Sequence, residues 1–171
     1  MNDFGAIVFT DIVGFTELTA IHGDDAALRL LARQDDLVQR ELPSSGRVVK
    51  EIGDGLLLWF TDAGDAVTTS LSLQDAYEAE SATPDGMPLW VRIGIHWGSP
   101  KHRGDDIIGH DVNLASRIAA LAGAGEVLCS NAAVVAAQRT GAVAGVCFAE
   151  IGPVVVKGIP EPVTVVRAAR G

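Results

Sequence analysis

The sequence predicts one α+β domain, a mixed or antiparallel sheet with helices packed on it. Three observations carry this expectation. The chain has 171 residues, which fits one domain at about 100–200 residues each. Strand-like and helix-like segments mix without strict βα alternation, so an all-parallel sheet is not expected. Gly53-Asp54-Gly55 lies between two apolar stretches, a strong signal for an antiparallel hairpin.

The elements follow in order. Phe4 to Ile12 is a short apolar run rich in β-branched and aromatic residues, as a buried strand requires. Asp11 and then Gly14-Phe15-Thr16 interrupt it. A helical pattern begins after Thr16. A longer helix is expected from about Asp24, where Asp24 or Asp25 can cap it, to Leu42 before Pro43. Leu30, Leu31, Leu37, Val38 and Leu42 keep the three- and four-residue spacing of one buried face. The hairpin spans Arg47 to Phe60. Residues 63–80 read as a helix and 81–88, with two prolines and a glycine, as a loop. Leu89 to Trp97 alternates as a strand does. Gly98 to Asp106 is short, polar and turn-rich. Asp111 to Ala122 is a helix with Gly123 beyond its end. Glu126 to Cys129 is a strand and Asn131 to Arg139 a helix. Residues 146–156 and 163–167 are two closing strands around Lys157-Gly158-Ile159-Pro160.

Composition narrows the function. Thirteen Lys and Arg against twenty-two Asp and Glu leave a net charge of −9. Nucleic acid or an anionic membrane needs a basic footprint, so neither is expected as the main partner. No apolar run approaches the ~18 residues of a membrane span. The stretch Met1 to Val8 has neither a basic region nor a cleavage pattern, so no signal peptide is read and the cytoplasm is the expected compartment. Cys129 and Cys147 sit in apolar surroundings without CxxC spacing. They are expected as two buried, reduced thiols.

Chemistry has few places to sit. Asp11 ends a strand that otherwise wants burial, and a buried carboxylate is costly unless compensated. It either caps the next turn or binds a metal. Asp54 is either a turn residue or a second ligand. Were the hairpin to pair beside the first strand, both carboxylates would reach one sheet edge. Two such oxygen ligands, completed by substrate phosphates and water, suit Mg²⁺. Backbone N–H groups of Gly14, Phe15 and Thr16 could hold phosphate oxygens. Asn113 and Arg117 share one helix face, as a solvated stripe or as groups for a ribose and a phosphoryl oxygen. Lys50 in isolation reads as an outward-facing lysine and His96 as a packed strand histidine. No GxSxG, GxxxxGK[ST] or nucleophile–His–acid spacing is present.

Five motifs arrive together: Phe9-Thr10-Asp11-Ile12-Val13-Gly14-Phe15-Thr16, Lys50-Glu51-Ile52-Gly53-Asp54-Gly55, Arg92-Ile93-Gly94-Ile95-His96-Trp97-Gly98, the run Asp106 to Arg117, and Val156-Lys157-Gly158. In this order the chain resembles the class III nucleotidyl cyclase catalytic domain, with the short polar Gly98–Asp105 segment of bacterial, mycobacterial-type members. The resemblance implies a central, mostly antiparallel sheet flanked by helices, a ferredoxin-like fold related to the polymerase palm. It implies an adenylate cyclase that converts ATP to 3′,5′-cyclic AMP and pyrophosphate at the interface of a head-to-tail homodimer. By motif position, Asp11, Asp54 and the Ile12 carbonyl match the ligands of two metal ions per active site, Mg²⁺ or Mn²⁺. Lys50 and Asp106 match the adenine-reading pair, and Asn113 and Arg117 the transition-state pair. The metal aspartates of one chain would work with the other four residues of its partner.

Ile159 stands where many relatives carry a second basic residue for the terminal phosphates, leaving Lys157 or Arg103 as replacements. Residues 1–171 would be the catalytic domain of a longer, regulated protein. A guanylate cyclase would want a carboxylate where Lys50 stands. A catalytically silent, nucleotide-binding dimerisation domain would lack a metal ligand or transition-state residue, and none is missing.

Overall fold

The computed structural model describes residues 3–84 and 88–171. The expected loop over 81–88 therefore lies partly outside the described residues, as do Met1 and Asn2 of the N-terminal reading. Nine strands and four helices are found among the described residues: β1 (Gly5–Ile12), α1 (Phe15–Glu41), β2 (Gly46–Ile52), β3 (Gly55–Phe60), α2 (Ala63–Ala82), β4 (Val91–Gly98), β5 (Lys101–Arg103), β6 (Asp106–Ile108), α3 (His110–Leu121), β7 (Val127–Ser130), α4 (Asn131–Arg139), β8 (Val146–Val154) and β9 (Val163–Arg170).

Seven strands form one sheet in the order β2-β3-β1-β4-β7-β9-β8, and β5-β6 pair separately. Every neighbouring pair in the large sheet is antiparallel except β4–β7. The expected α+β architecture, a mostly antiparallel sheet flanked by helices, is the one observed.

Period-two alternation sorts the side chains onto two faces. Ala6, Val8 and Ile12 of β1 join Leu56, Leu58 and Phe60 of β3 and Ile93 and Ile95 of β4 in the larger core, covered by α1, α2 and α4. Ile7, Leu57 and Trp59 face the other way and pack with Ile107, Val112 and Ala115, while α3 also buries Leu114 and Ile118 against Leu128 and Val165. Both faces of β1 and β3 are therefore covered, which is why these strands read as nearly unbroken apolar runs.

Three details differ from the sequence reading. The helical pattern expected from Thr16 and the longer helix expected from Asp24 run as one element, α1, which starts at Phe15 and breaks at Gly23 (φ 87°), a conformation that glycine adopts without steric cost. The second segment begins where Asp24 and Asp25 suggested a start. The polar stretch after Gly98 contains the β5–β6 hairpin. Cys129 is buried as expected, but Cys147 is exposed on the edge strand β8, and both are free thiols. Among the described residues, no helix is long and apolar enough to cross a membrane.

Candidate active site

The site is assembled at the end of β1. Gly55 opens β3 so close to β1 that a Cβ there would lie 2.1 Å from the Thr10 carbonyl oxygen. Thr10 Oγ1 accepts a hydrogen bond from Leu56 N (3.1 Å), which ties the hairpin to β1. Gln34 of α1 donates to the Asp54 carbonyl (3.3 Å). These contacts carry Asp54 to Asp11, so the two aspartates meet as the paired-strand reading required. Burial, and then the neighbouring Asp11 carboxyl, push the Asp54 carboxyl up from 3.8 to about 6. Two carboxylates this close need a proton or a cation between them.

One cation is already present. Register places Arg92 of β4 opposite Asp11, and its guanidinium forms an ion pair with the Asp11 carboxylate. The Arg92 Nε is buried without a partner among the described residues. The sequence reading gave Arg92 no role; its signal was the alternation of β4, which puts residues 92, 94, 96 and 98 on one face.

Lys50 engages a different partner. The ladder of β2 slips between Val48 and Lys50, and Lys50 Nζ donates to Asp106 Oδ2 of β6 (3.0 Å). Ile107 N donates to Asp106 Oδ1 (2.8 Å). The Lys50 bond, more than any other cause, holds the Asp106 carboxyl below its ordinary range. Arg47 Nη1 donates to the Asp105 carbonyl (2.9 Å), and the His102 ring meets Trp59 edge-on. The small hairpin is thus fastened to β2 and β3, and it presents the Lys–Asp pair at the surface.

Asn113 and Arg117 are exposed on the outer side of α3. Together with His110, Ser116, Ala120 and the Lys157–Ile159 segment they line a hollow of about 430 Å³. Lys157 therefore lines the same hollow as Arg117, whereas Arg103 lies opposite Asp106 in the β5–β6 hairpin. A second hollow, about 230 Å³, is lined by Phe9, Thr10, Asp11, Ile52, Ser116, Ala119 and Ala120. The two hollows share Ser116 and Ala120. His110 and Ser116 were missed in the sequence, although Ser116 follows Asn113 by three residues on a helix and so lies on the same face.

Ile12 follows Asp11 directly. Two residues on, Gly14 (φ 74°) is the N-cap of α1 and makes no side-chain cap. First-turn N–H groups of a helix have no intrahelical acceptor, so those of Phe15 and Thr16 stay available beside Asp11. Among the described residues no three His, Cys, Asp or Glu side chains cluster as a complete metal cage. The aspartate pair could supply only part of a coordination shell.

A family model for the adenylate and guanylate cyclase catalytic domain matches residues 2–166. The chain belongs to that family. It is 33% identical over 129 residues to an adenylate cyclase of Streptomyces coelicolor, covering 74% of this chain and 32% of that protein. It is 27% identical over 165 residues to a pH-sensitive adenylate cyclase of Mycobacterium tuberculosis, covering 96% of this chain and 40% of the relative. The chain thus spans well under half the length of these bacterial relatives. The fold matches the adenylyl cyclase CyaB of P. aeruginosa with a TM-score of 0.84 at 24% identity, over 100% of this chain and 96% of that one. The cyclase domain is of the class III bacterial type that the five motifs resemble.

Proposed function

We propose that this domain is an adenylate cyclase, forming 3′,5′-cyclic AMP and pyrophosphate from ATP at two composite sites of a homodimer. The observation that carries the choice of base is the Lys50–Asp106 pair. Adenine offers N1 as an acceptor and N6–H₂ as a donor, and an ammonium beside a carboxylate presents the complement of both.

Asp11, Asp54 and the Ile12 carbonyl would hold divalent metal, Mg²⁺ or Mn²⁺. The fit is supported by the raised Asp54 carboxyl, because a doubly charged ion would offset both the burial and the Asp11 repulsion that raise it. Remaining positions would fall to phosphate oxygens and water, as hard cations prefer. Two bound ions would lower the pKa of the ribose 3′-hydroxyl and balance charge on the leaving pyrophosphate.

In the reaction, the 3′-oxygen bonds to the α-phosphorus of the same molecule. The bond from that phosphorus to the β-bridging oxygen breaks, pyrophosphate departs, and the hydroxyl proton passes to water. Asn113 orients the ribose, which makes attack effectively unimolecular. Arg117 neutralises charge growing on the α-phosphoryl oxygens. The N–H groups of Gly14, Phe15 and Thr16 would receive phosphate oxygens. Lys157, which lines the same hollow as Arg117, takes the part of the basic residue that Ile159 replaces.

Two pairings within one hairpin support a dimer. Lys50 turns to Asp106 and Asp54 turns to Asp11, as expected where one chain carries two half-sites of different composite sites. The metal half of one protomer would meet the base-reading and transition-state half of its partner. Within the full-length protein, residues 1–171 would act in the cytoplasm as the catalytic unit of a longer, regulated chain.

Assay of cyclic AMP from ATP with Mg²⁺ or Mn²⁺, at several protein concentrations, tests this reading. Product whose yield per chain rises with concentration is expected. Absence of product at all concentrations, or cyclic GMP from GTP at a comparable rate, would overturn it.

A further inference from the structure

His96 lies on β4 with its side chain on the α3 face of the sheet and is 8% exposed. Both ring nitrogens are engaged. Nδ1 is 2.8 Å from Ser130 Oγ, and Nε2 is 3.2 Å from Asp111 Oδ1. Ser130 is also the N-cap of α4, where its Oγ accepts from Ala133 N (3.2 Å). Asp111 stands in the first turn of α3, and its Oδ2 accepts from Ser99 N (2.9 Å).

Proton accounting selects one form of the ring. The Asp111 carboxylate can only accept, so Nε2 must donate. In a neutral ring Nδ1 then accepts, and the Ser130 hydroxyl donates to it. That leaves the Ser130 lone pairs for Ala133 N–H, and every polar atom is satisfied. A charged ring would place a second donor on Ser130 Oγ and strand the hydroxyl proton. Burial, which disfavours the charged form, lowers the imidazole pKa in the same sense; of the charged neighbours, Asp111 opposes the shift and His110 adds to it.

The placement of Asp111 matters for what α3 carries. At about 100° per residue, Asn113 and Arg117 lie roughly 200° and 240° around the helix from Asp111. They project on the far side of the helix from the clamp. The N-cap of α3, Gly109, offers no side-chain bond. Elsewhere the helix meets the sheet through small residues, with Gly94 leaving room for Ala119. Apolar contact between small residues has no preferred direction about the helix axis. The hydrogen bonds of Asp111 do have one. Gly98 makes room for them, since a Cβ there would lie 2.3 Å from Asp111 Oδ2.

We propose that His96 is a positioning residue for the cyclase reaction, fixing the rotation of α3 through Asp111 so that Asn113 and Arg117 face the substrate. It touches neither nucleotide nor metal. It ties α3, which carries the transition-state residues, to the N-cap of α4 on the opposite layer.

The role presupposes the cyclase site proposed above, so wild-type turnover is measured first. His96→Leu should lower kcat roughly 10-fold or more, as displacement of a positioned group by about 1 Å does, with KM for ATP within about 3-fold. His96→Gln, whose amide can still donate to Asp111, should recover kcat to within roughly 3-fold of wild type. In an Arg117→Ala background, adding His96→Leu should cost less than about 2-fold more, because coupled residues are not additive. Additive losses, or a rate that falls only with the folded fraction, would overturn the proposal.

Asp111→Ala cuts the same link at a partly exposed residue and serves where His96→Leu does not fold. Its kcat should fall with KM unchanged, and a wild-type kcat would count against the assignment. Two readouts need no turnover. Long-range ¹H–¹⁵N spectra at pH 7 should report a neutral His96 ring with Nε2–H, and the other tautomer or an imidazolium would overturn the link. Amide exchange over residues 110–114 should quicken in Asp111→Ala, and unchanged exchange would do the same. Inactive wild type with both readouts as expected would reject the cyclase reading and leave the α3 clamp standing.

Discussion

Asp54 stands out chemically because its carboxyl is pushed to about 6 by burial and by Asp11. An acid whose folded pKa lies above its unfolded value contributes stability below the unfolded value, near 3.8, and loses that contribution as pH rises through 6. Without divalent metal, wild-type protein at pH 7.5 therefore bears a cost that Asp54→Asn does not. The variant is expected to melt a few degrees higher at pH 7.5, at roughly 2–4 °C per kcal/mol for a domain of this size. At pH 4 the gap should close. Mn²⁺ with ATP should raise the wild-type Tm and leave the variant unmoved, since ligand stabilisation follows affinity for the folded state. Thermal melts with EDTA and with Mn²⁺ check both halves, and equal responses to metal would remove Asp54 from the ligand set. Lys50 and Asp106 set a second expectation. Guanine would put its N1–H against the Lys50 ammonium, and a mispaired polar group costs about 1–3 kcal/mol. ATP should be preferred over GTP by at least ~100-fold in kcat/KM, as in sites built to hydrogen-bond one partner. Competition kinetics with both nucleotides would expose a smaller preference.

β4 connects the two layers of the site. Its alternate residues Arg92, Gly94, His96 and Gly98 all face α3, and a Cβ on Gly94 would lie 2.3 Å from the Ala119 backbone nitrogen. Backbone cannot rotate away, so Gly94→Ala should cost about 1–3 kcal/mol through overpacking. An unchanged Tm would mean that α3 rides loosely on the sheet. The pH behaviour of this layer has a definite sign. Burial holds the His96 pKa below 6.5. The folded state therefore binds fewer protons than the unfolded one as pH falls below 6.5, and stability declines until the folded pKa is passed. His96→Gln lacks this titration, so its stability should decline less over that window, measured by denaturant melts from pH 7.5 to 5. These elements were unequally legible in the sequence. Strands β1, β3 and β4 were evident because burial leaves a continuous or alternating apolar pattern. The β5–β6 hairpin was read only as a turn-rich segment, since Lys101-His102-Arg103 has no apolar alternation and its order comes from contacts with Arg47, Lys50 and Trp59. Exposure of Cys147 was hidden because local composition does not reveal which strand ends a sheet. Asp11 and Asp54 were found as candidates, but the Arg92 ion pair depends on strand order, and strand order is a long-range property.

The molecule as a whole carries its proposed half-sites on one chain. Lys50 and Asp54 are four residues apart, yet one turns to Asp106 and the other to Asp11. In the proposed dimer the two pairs serve different sites, and a two-fold axis near the hairpin would let a second copy supply the complementary half. An Asp11→Ala chain would lack metal binding but keep Asn113 and Arg117. An Arg117→Ala chain would have the opposite defect. Each variant alone should be nearly inactive. Mixed together, half of the randomly paired dimers would be heterodimers, each with one site built from two intact halves and one from two defective halves. Recovery should therefore approach about a quarter of the wild-type site count. Activity per chain should also fall on dilution, because in the proposed dimer a lone chain would hold no complete site and association obeys mass action. Subunit exchange is followed separately by labelling the two variants and measuring energy transfer between them. Exchange with no recovered cyclase activity would mean that each chain completes its own site, and the hairpin pairings would then need another explanation.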